Sequence, residues 1–150
     1  MTRHLGYGFL CVSLGASLLP VHVTGWCLIL FPPAVVIGYE MFAHDRECPW
    51  ARRPYLLPVA CVLTATAGLG FTLWLGVAAW AAAASMVFGI LVLQLMDLHI
   101  PPALAIGLLP LAMEAPDYRF PLSVALGMTL LTLVFHLHRK LALRRFPATA

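Results

Sequence analysis

Two apolar runs, Tyr55–Leu75 and Val77–Met96, follow one another with only Gly76 between them and contain no charged residue. Each is close to the roughly 20 residues a helix needs to cross about 30 Å of hydrocarbon. A helix on the surface of a soluble domain keeps a polar face, whereas these runs are apolar all round. With 62% hydrophobic and 10% charged residues over 150 positions, the chain has too little polar surface to cover a soluble core of its size. It is expected to be an all-α membrane protein with a single transmembrane domain.

Phe120–Leu137 adds a third segment, with Pro121 in a first turn where proline is tolerated. Leu5–Val21 is a fourth, bounded by Pro20 and a Thr24-Gly25 turn. Arg3 and the apolar run after it look like a signal peptide, but no clean small-residue cleavage site follows, so an uncleaved first helix is expected. These are the four clear transmembrane helices. The remaining pieces, Trp26–Phe42 and Ile100–Met113, carry a repeated motif. Residues 31–38 read FPPAVVIG and residues 100–107 read IPPALAIG, identical at five of eight positions. A proline inside a helix removes a donor and clashes with the preceding turn, costing about 3 kcal/mol or more. It also pushes the residue before it out of the helical region. Each pair is therefore expected to break its segment, leaving half or re-entrant helices.

Basic residues orient the chain. There are nine: Arg3, Arg46, Arg52, Arg53, Arg119, Arg139, Lys140, Arg144 and Arg145. If both proline segments cross, six elements result, and eight of the nine fall on one side, with Arg119 opposite beside Glu114 and Asp117. The positive-inside rule makes that side the cytoplasm, with both termini there, in what would be a bacterial inner membrane. Four spans with two re-entrant loops would instead place Arg46, Arg52 and Arg53 outside. The six-element reading divides the chain into halves of about 1–75 and 76–138, followed by a basic tail at 139–150. Each half holds three elements with the proline segment in the middle, so the halves form an inverted 3+3 repeat, the recurring plan of secondary transporters. Ala60, Thr64 and Gly68, and likewise Ala81, Ser85 and Gly89, recur every four residues, so these two helices are expected to pack closely.

A half-helix that opens at a proline pair points its positive end inward. Pro32, Pro33, Ala34 and Val35, with Pro101, Pro102, Ala103 and Leu104, are the candidate ion pathway. N–H groups of Ala34–Val36 and Ala103–Ala105 would be its anion-binding donors. Packing alone is the rival explanation of both pairs, since membrane helices tolerate kinks. Asp97 and His99 precede the second pair, and Glu40 follows the first by seven residues. Each either serves an ion or proton path or meets water at the cytoplasmic surface. His22 falls in a short external turn. His136 and His138 are two apart, a poor spacing for a shared metal on a helix. The tail that they open is basic and amphipathic, suited to anionic headgroups. The four cysteines (Cys11, Cys27, Cys48 and Cys61) have no metal or redox spacing and read as small buried hydrophobes.

The stretch LHIPPALAIGLLPLAMEAPDYRFPLSVALG resembles the HPP family of integral membrane proteins, whose namesake His-Pro-Pro opens an Ala- and Gly-rich segment running into Leu-Leu-Pro. The earlier FPPAVVIGYEMFAHDRECPWARRPYLLPVACVLTATAGLG is similar to the family's first half. The resemblance covers about Leu28 to Lys140 and implies four membrane-spanning helices. Plant plastid members are associated with nitrite transport. Here Ile100 stands directly before Pro101-Pro102, so the histidine at His99 is displaced by one position, and histidine-dependent chemistry does not carry over.

No nucleophile–base arrangement, phosphate loop or metal cluster is present, and the cations flank membrane segments rather than forming a nucleic-acid surface. The expected function is a small transporter or channel, not an enzyme. It would pass a small inorganic ion, leaning to a monovalent anion such as nitrite, with no cofactor and as a homo-oligomer. The alternatives are a non-transporting scaffold or small subunit of a larger complex, and a membrane redox or metal protein using His99 with His136 or His138.

Overall fold

A computed structural model describes residue 8, residues 27–43, residue 50 and residues 53–145. Among these, five α-helices form one bundle without strands: α1 (Cys27–Ala43), α2 (Leu56–Leu75), α3 (Ala79–Leu95), α4 (Pro101–Ala112) and α5 (Arg119–Arg145). The expected first helix, Leu5–Val21, lies outside the described residues.

Local chemistry explains the boundaries. Pro58 sits in the first turn of α2 and Pro121 in the first turn of α5, where no intrahelical donor is lost. Gly76, at φ 76°, ends α2 in a backbone conformation that side chains disfavour. The end of α3 is a Schellman motif. Asp97 takes the left-handed conformation at φ 51°, its N–H donates to Gln94 O at 3.1 Å, and the N–H of Leu98 donates to Leu93 O at 2.9 Å. Leu93 and Leu98, the apolar pair of that motif, are buried in the same core.

Helix α2 is the hub. It packs against α3, α4 and α5, while α4 also packs against α1 and α3, and α1 against α5. Sequence neighbours α1 and α2 barely touch, nor do α4 and α5. Glycine contacts set the directions. Gly107 of α4 lies against Thr64 and Gly68 of α2, and Gly89 of α3 lies against Leu104 and Thr64. Helix α4 therefore runs parallel to α2. The three-residue link at 76–78 sends α3 back, and α5, starting near the end of α4, returns along α2. Phe42 at the end of α1 meets Phe135 and His138 late in α5, at 5.5 and 5.4 Å between ring centroids. One end of the bundle thus holds the end of α1, the starts of α2 and α4, and the last turns of α5.

The interior is apolar. Ile37, Leu57, Ile100, Ile106, Phe120, Met128, Leu131 and Phe135 are at most 1% exposed. On α5 the buried residues Phe120, Val124, Met128, Leu131 and Phe135 keep helical spacing, yet the opposite face carries Leu122, Leu126, Leu133 and Leu137, all more than half exposed.

One expectation is corrected. The first proline pair does not break its helix: α1 runs from Cys27 through Pro32 and Pro33 to Ala43. The two bonds lost are those to the carbonyls of Leu28 and Ile29 near the start of the helix, and the turns beyond Pro33 continue unbroken. Only the second pair starts a helix, with Pro101 and Pro102 as its first two residues. Helix α5 continues unbroken into the basic tail as far as Arg145. Among the described residues, two of the four expected spans, α2 and α5, are long and apolar enough to cross a membrane. The 17 residues of α3 and 12 of α4 are apolar but shorter.

Candidate functional site

The candidate site is the start of α4 and the link before it. Helix α4 has 12 residues, so it is about 18 Å long at 1.5 Å per residue. Thr64 and Gly68 lie about 14 and 20 Å along α2 from Tyr55. Gly107 sits between those two levels. Pro101, six residues earlier, is therefore recessed by about 8 Å from the level of Tyr55. The bundle around it is closely packed. A Cβ at Gly68 would overlap the backbone carbonyl of Gly107, and one at Gly107 would come within 3.1 Å of Thr64 O. One at Gly89 would crowd the Leu104 side chain, at 2.7 Å, and touch Thr64 Cγ2 at an ordinary 3.6 Å.

The expected donors are not free. Pro101 and Pro102 have no N–H, and the N–H of Ala103 donates to Ile100 O at 3.0 Å. The two prolines thus remove donors from the helix start where an anion would need them. Ala34–Val36 lie in the interior of α1, where N–H groups bond to the preceding turn. Among the described residues, the two proline pairs therefore do not form two converging helix ends. No helix begins at Pro32-Pro33, and the one that begins at Pro101-Pro102 offers no spare donor among its first three residues.

Pro32 is exposed, Pro33 buried, and Ala34 and Val35 half-buried. Pro101 is exposed, Pro102 and Leu104 half-buried, and Ala103 buried. The structure packs α1 on α4. Asp97 and His99 are both exposed at the turn before α4. The backbone of Asp97 serves as the cap of α3. The N–H groups of His99 and Ile100 donate to nothing among the described residues, although Ile100 is fully buried. Glu40 is half-buried three residues from the end of α1. Residues 21–26 and 44–49, with His22 and Cys48, are outside the described residues.

Elsewhere among the described residues, the buried serine and threonine hydroxyls each donate to their own helix. Thr64 bonds Cys61 O, Thr72 bonds Gly68 O, Ser85 bonds Ala81 O, Ser123 bonds Arg119 O and Thr132 bonds Met128 O, at 2.7–3.0 Å. No charged side chain is buried among the described residues. No three His, Cys, Asp or Glu side chains lie close enough to share a metal there. The indole N–H of Trp50, just before α2, is buried without a partner.

Sequence reasoning paired the small-residue rows of α2 and α3 but missed Gly107, which seals α4 onto α2. The available signal was the glycine that ends both eight-residue copies, since Gly38 and Gly107 are both buried. The ends of the bundle also differ. Trp74, Trp80 and Tyr118, at 84%, 72% and 72% exposure, ring one end. Tyr55, Arg53, Arg139 and Lys140 are exposed at the other. Compared with known proteins, the chain matches no family model, no curated protein and no solved structure.

Proposed function

We propose that the chain is a small integral membrane transporter or channel for a small ion, leaning to a monovalent anion such as nitrite, and working as a homo-oligomer. One observation carries the reading: the half-length helix α4 begins recessed within an apolar bundle, behind a non-helical link whose His99 and Ile100 N–H groups have no hydrogen-bond partner among the described residues. Lipid cannot satisfy such groups, so backbone of this kind belongs where protein covers it or water and ions reach it. Discontinuous helices of this kind build transporter sites.

The membrane placement is supported by spacing. Tyr55 and Trp74 lie about 28 Å apart along α2, and Tyr118 and Arg139 about 31 Å apart along α5, at 1.5 Å per residue. Both intervals match the hydrocarbon thickness with interfacial aromatics at its edges. On that reading the Arg53–Arg139 end is cytoplasmic. The inverted repeat is supported by the exchange of partners: α1 packs on α5 and α4 on α2, as a twofold between the halves requires. The resemblance to the HPP family supports the same class and the lean to nitrite.

The experiment is an efflux panel in liposomes holding the purified protein. Nitrite, nitrate, chloride and formate are loaded separately, and release is followed against empty vesicles. Protein-dependent release of a monovalent anion is the expected result, and vesicles tight to the whole panel would contradict it. The back-bonded hydroxyls and the lack of buried charge among the described residues favour a second reading, a non-transporting scaffold or subunit. That reading predicts co-purification with a partner at fixed stoichiometry.

A further inference from the structure

The two ends of the bundle differ in how their cations are paired, not only in how many they hold. At the end with Trp74 and Trp80, Arg119 lies 3.6 Å from Asp117 in an exposed ion pair that offsets part of its charge. At the other end Arg53, Arg139 and Lys140 are exposed, and none has an ion-pair partner in the described structure. Arg144 and Arg145 follow on the same helix. Arg139 stands about 31 Å along α5 from Tyr118, at the level where a bilayer's phosphates begin. Helix α5 then continues for six more residues, about 9 Å beyond that level. Tyr55, 61% exposed two residues after Arg53, marks the same level on α2.

Resting on the membrane placement above, we propose that Arg53, Arg139 and Lys140 form a collar that binds the phosphates of anionic phospholipids and retains them around the bundle. The chemistry is complementary. Guanidinium groups take phosphate oxygens in pairs, and lysine adds a point charge. An unpaired cation brings its full charge to the lipid, whereas one held by a carboxylate does not. Each cation near an anionic surface strengthens binding by about fivefold at low salt.

The test is lipid retention by the full chain. Detergent-solubilised protein is equilibrated with equimolar phosphatidylglycerol and phosphatidylcholine, washed, and its bound lipid quantified by mass spectrometry. Retention of either lipid reports the membrane reading; the ratio between them reports the collar. Phosphatidylglycerol is expected in several-fold excess, falling toward parity in the R53Q/R139Q/K140Q variant and unchanged in R119Q, which also loses one cation. The excess should also fade as salt rises from about 0.05 to 0.5 M, where screening shortens to a few ångströms. Parity in the natural protein, an excess insensitive to salt, or an equal loss in R119Q would each overturn the proposal. The salt series needs no variant, so a misfolded triple mutant does not shield the proposal.

Discussion

At the scale of single residues, the contacts that decide the bundle are backbone contacts made possible by glycine. A methyl group at Gly68 collides with the carbonyl of Gly107, which can move only if α4 moves, whereas one at Gly89 displaces the flexible Leu104 side chain. Gly68→Ala is therefore expected to cost about 3 kcal/mol and Gly89→Ala about 1 kcal/mol or less, the range that overpacking spans. Denaturation of both variants in one detergent checks this, and equal losses would contradict the packing described. Asp97 tests a different rule. Its positive φ strains a side-chain-bearing residue, so Asp97→Gly is expected to raise stability by about 1 kcal/mol. A loss on the same denaturation axis would mean that the carboxylate has a role beyond capping α3. The small-residue rows of α2 and α3 were legible because fourfold spacing is periodic; the clash partner Gly107 was not, because a single glycine carries no period.

At the scale of elements, two near-identical motifs adopt different conformations. The sequence predicts that both proline pairs stop a helix, yet Pro32 and Pro33 lie within α1 and Pro101 and Pro102 open α4. What differs is the chain before them. Phe31 continues a helical turn begun at Cys27. Ile100 instead is non-helical at φ −120° and ψ 80°, after a link already turned by Asp97. Such tertiary context has no local signature, so the motif alone could not distinguish the two. Opposite effects follow on substitution. Pro32→Ala with Pro33→Ala restores two intrahelical donors and is expected to stabilise α1 by at least about 1 kcal/mol. Pro101→Ala with Pro102→Ala adds donors at a helix start, leaves stability nearly unchanged, and lets α4 extend toward His99. If the recessed start of α4 belongs to the ion path, release from liposomes should fall severalfold in that second variant. A folded variant with undiminished release would separate the path from α4.

At the scale of the whole molecule, the sequence was most informative about charge and least about length. Counting arginine and lysine predicted that Arg119 would stand apart from Arg53, Arg139 and Lys140, and the helix directions put them at opposite ends. Hydropathy does not show where helices such as Ala79–Leu95 and Pro101–Ala112 are capped, so their lengths were less legible than the charge pattern. Ion passage, lipid binding and the inverted repeat all depend on one claim, that the helices alternate across a bilayer with these ends on opposite sides. Side-specific cysteine labelling tests it directly. Glu114→Cys and His136→Cys are placed singly in a cysteine-free background, in intact cells, and treated with a membrane-impermeant maleimide. The expected result is labelling of the Glu114 site from outside and of the His136 site only after the cells are opened. Labelling of both sites from the same side would contradict the account.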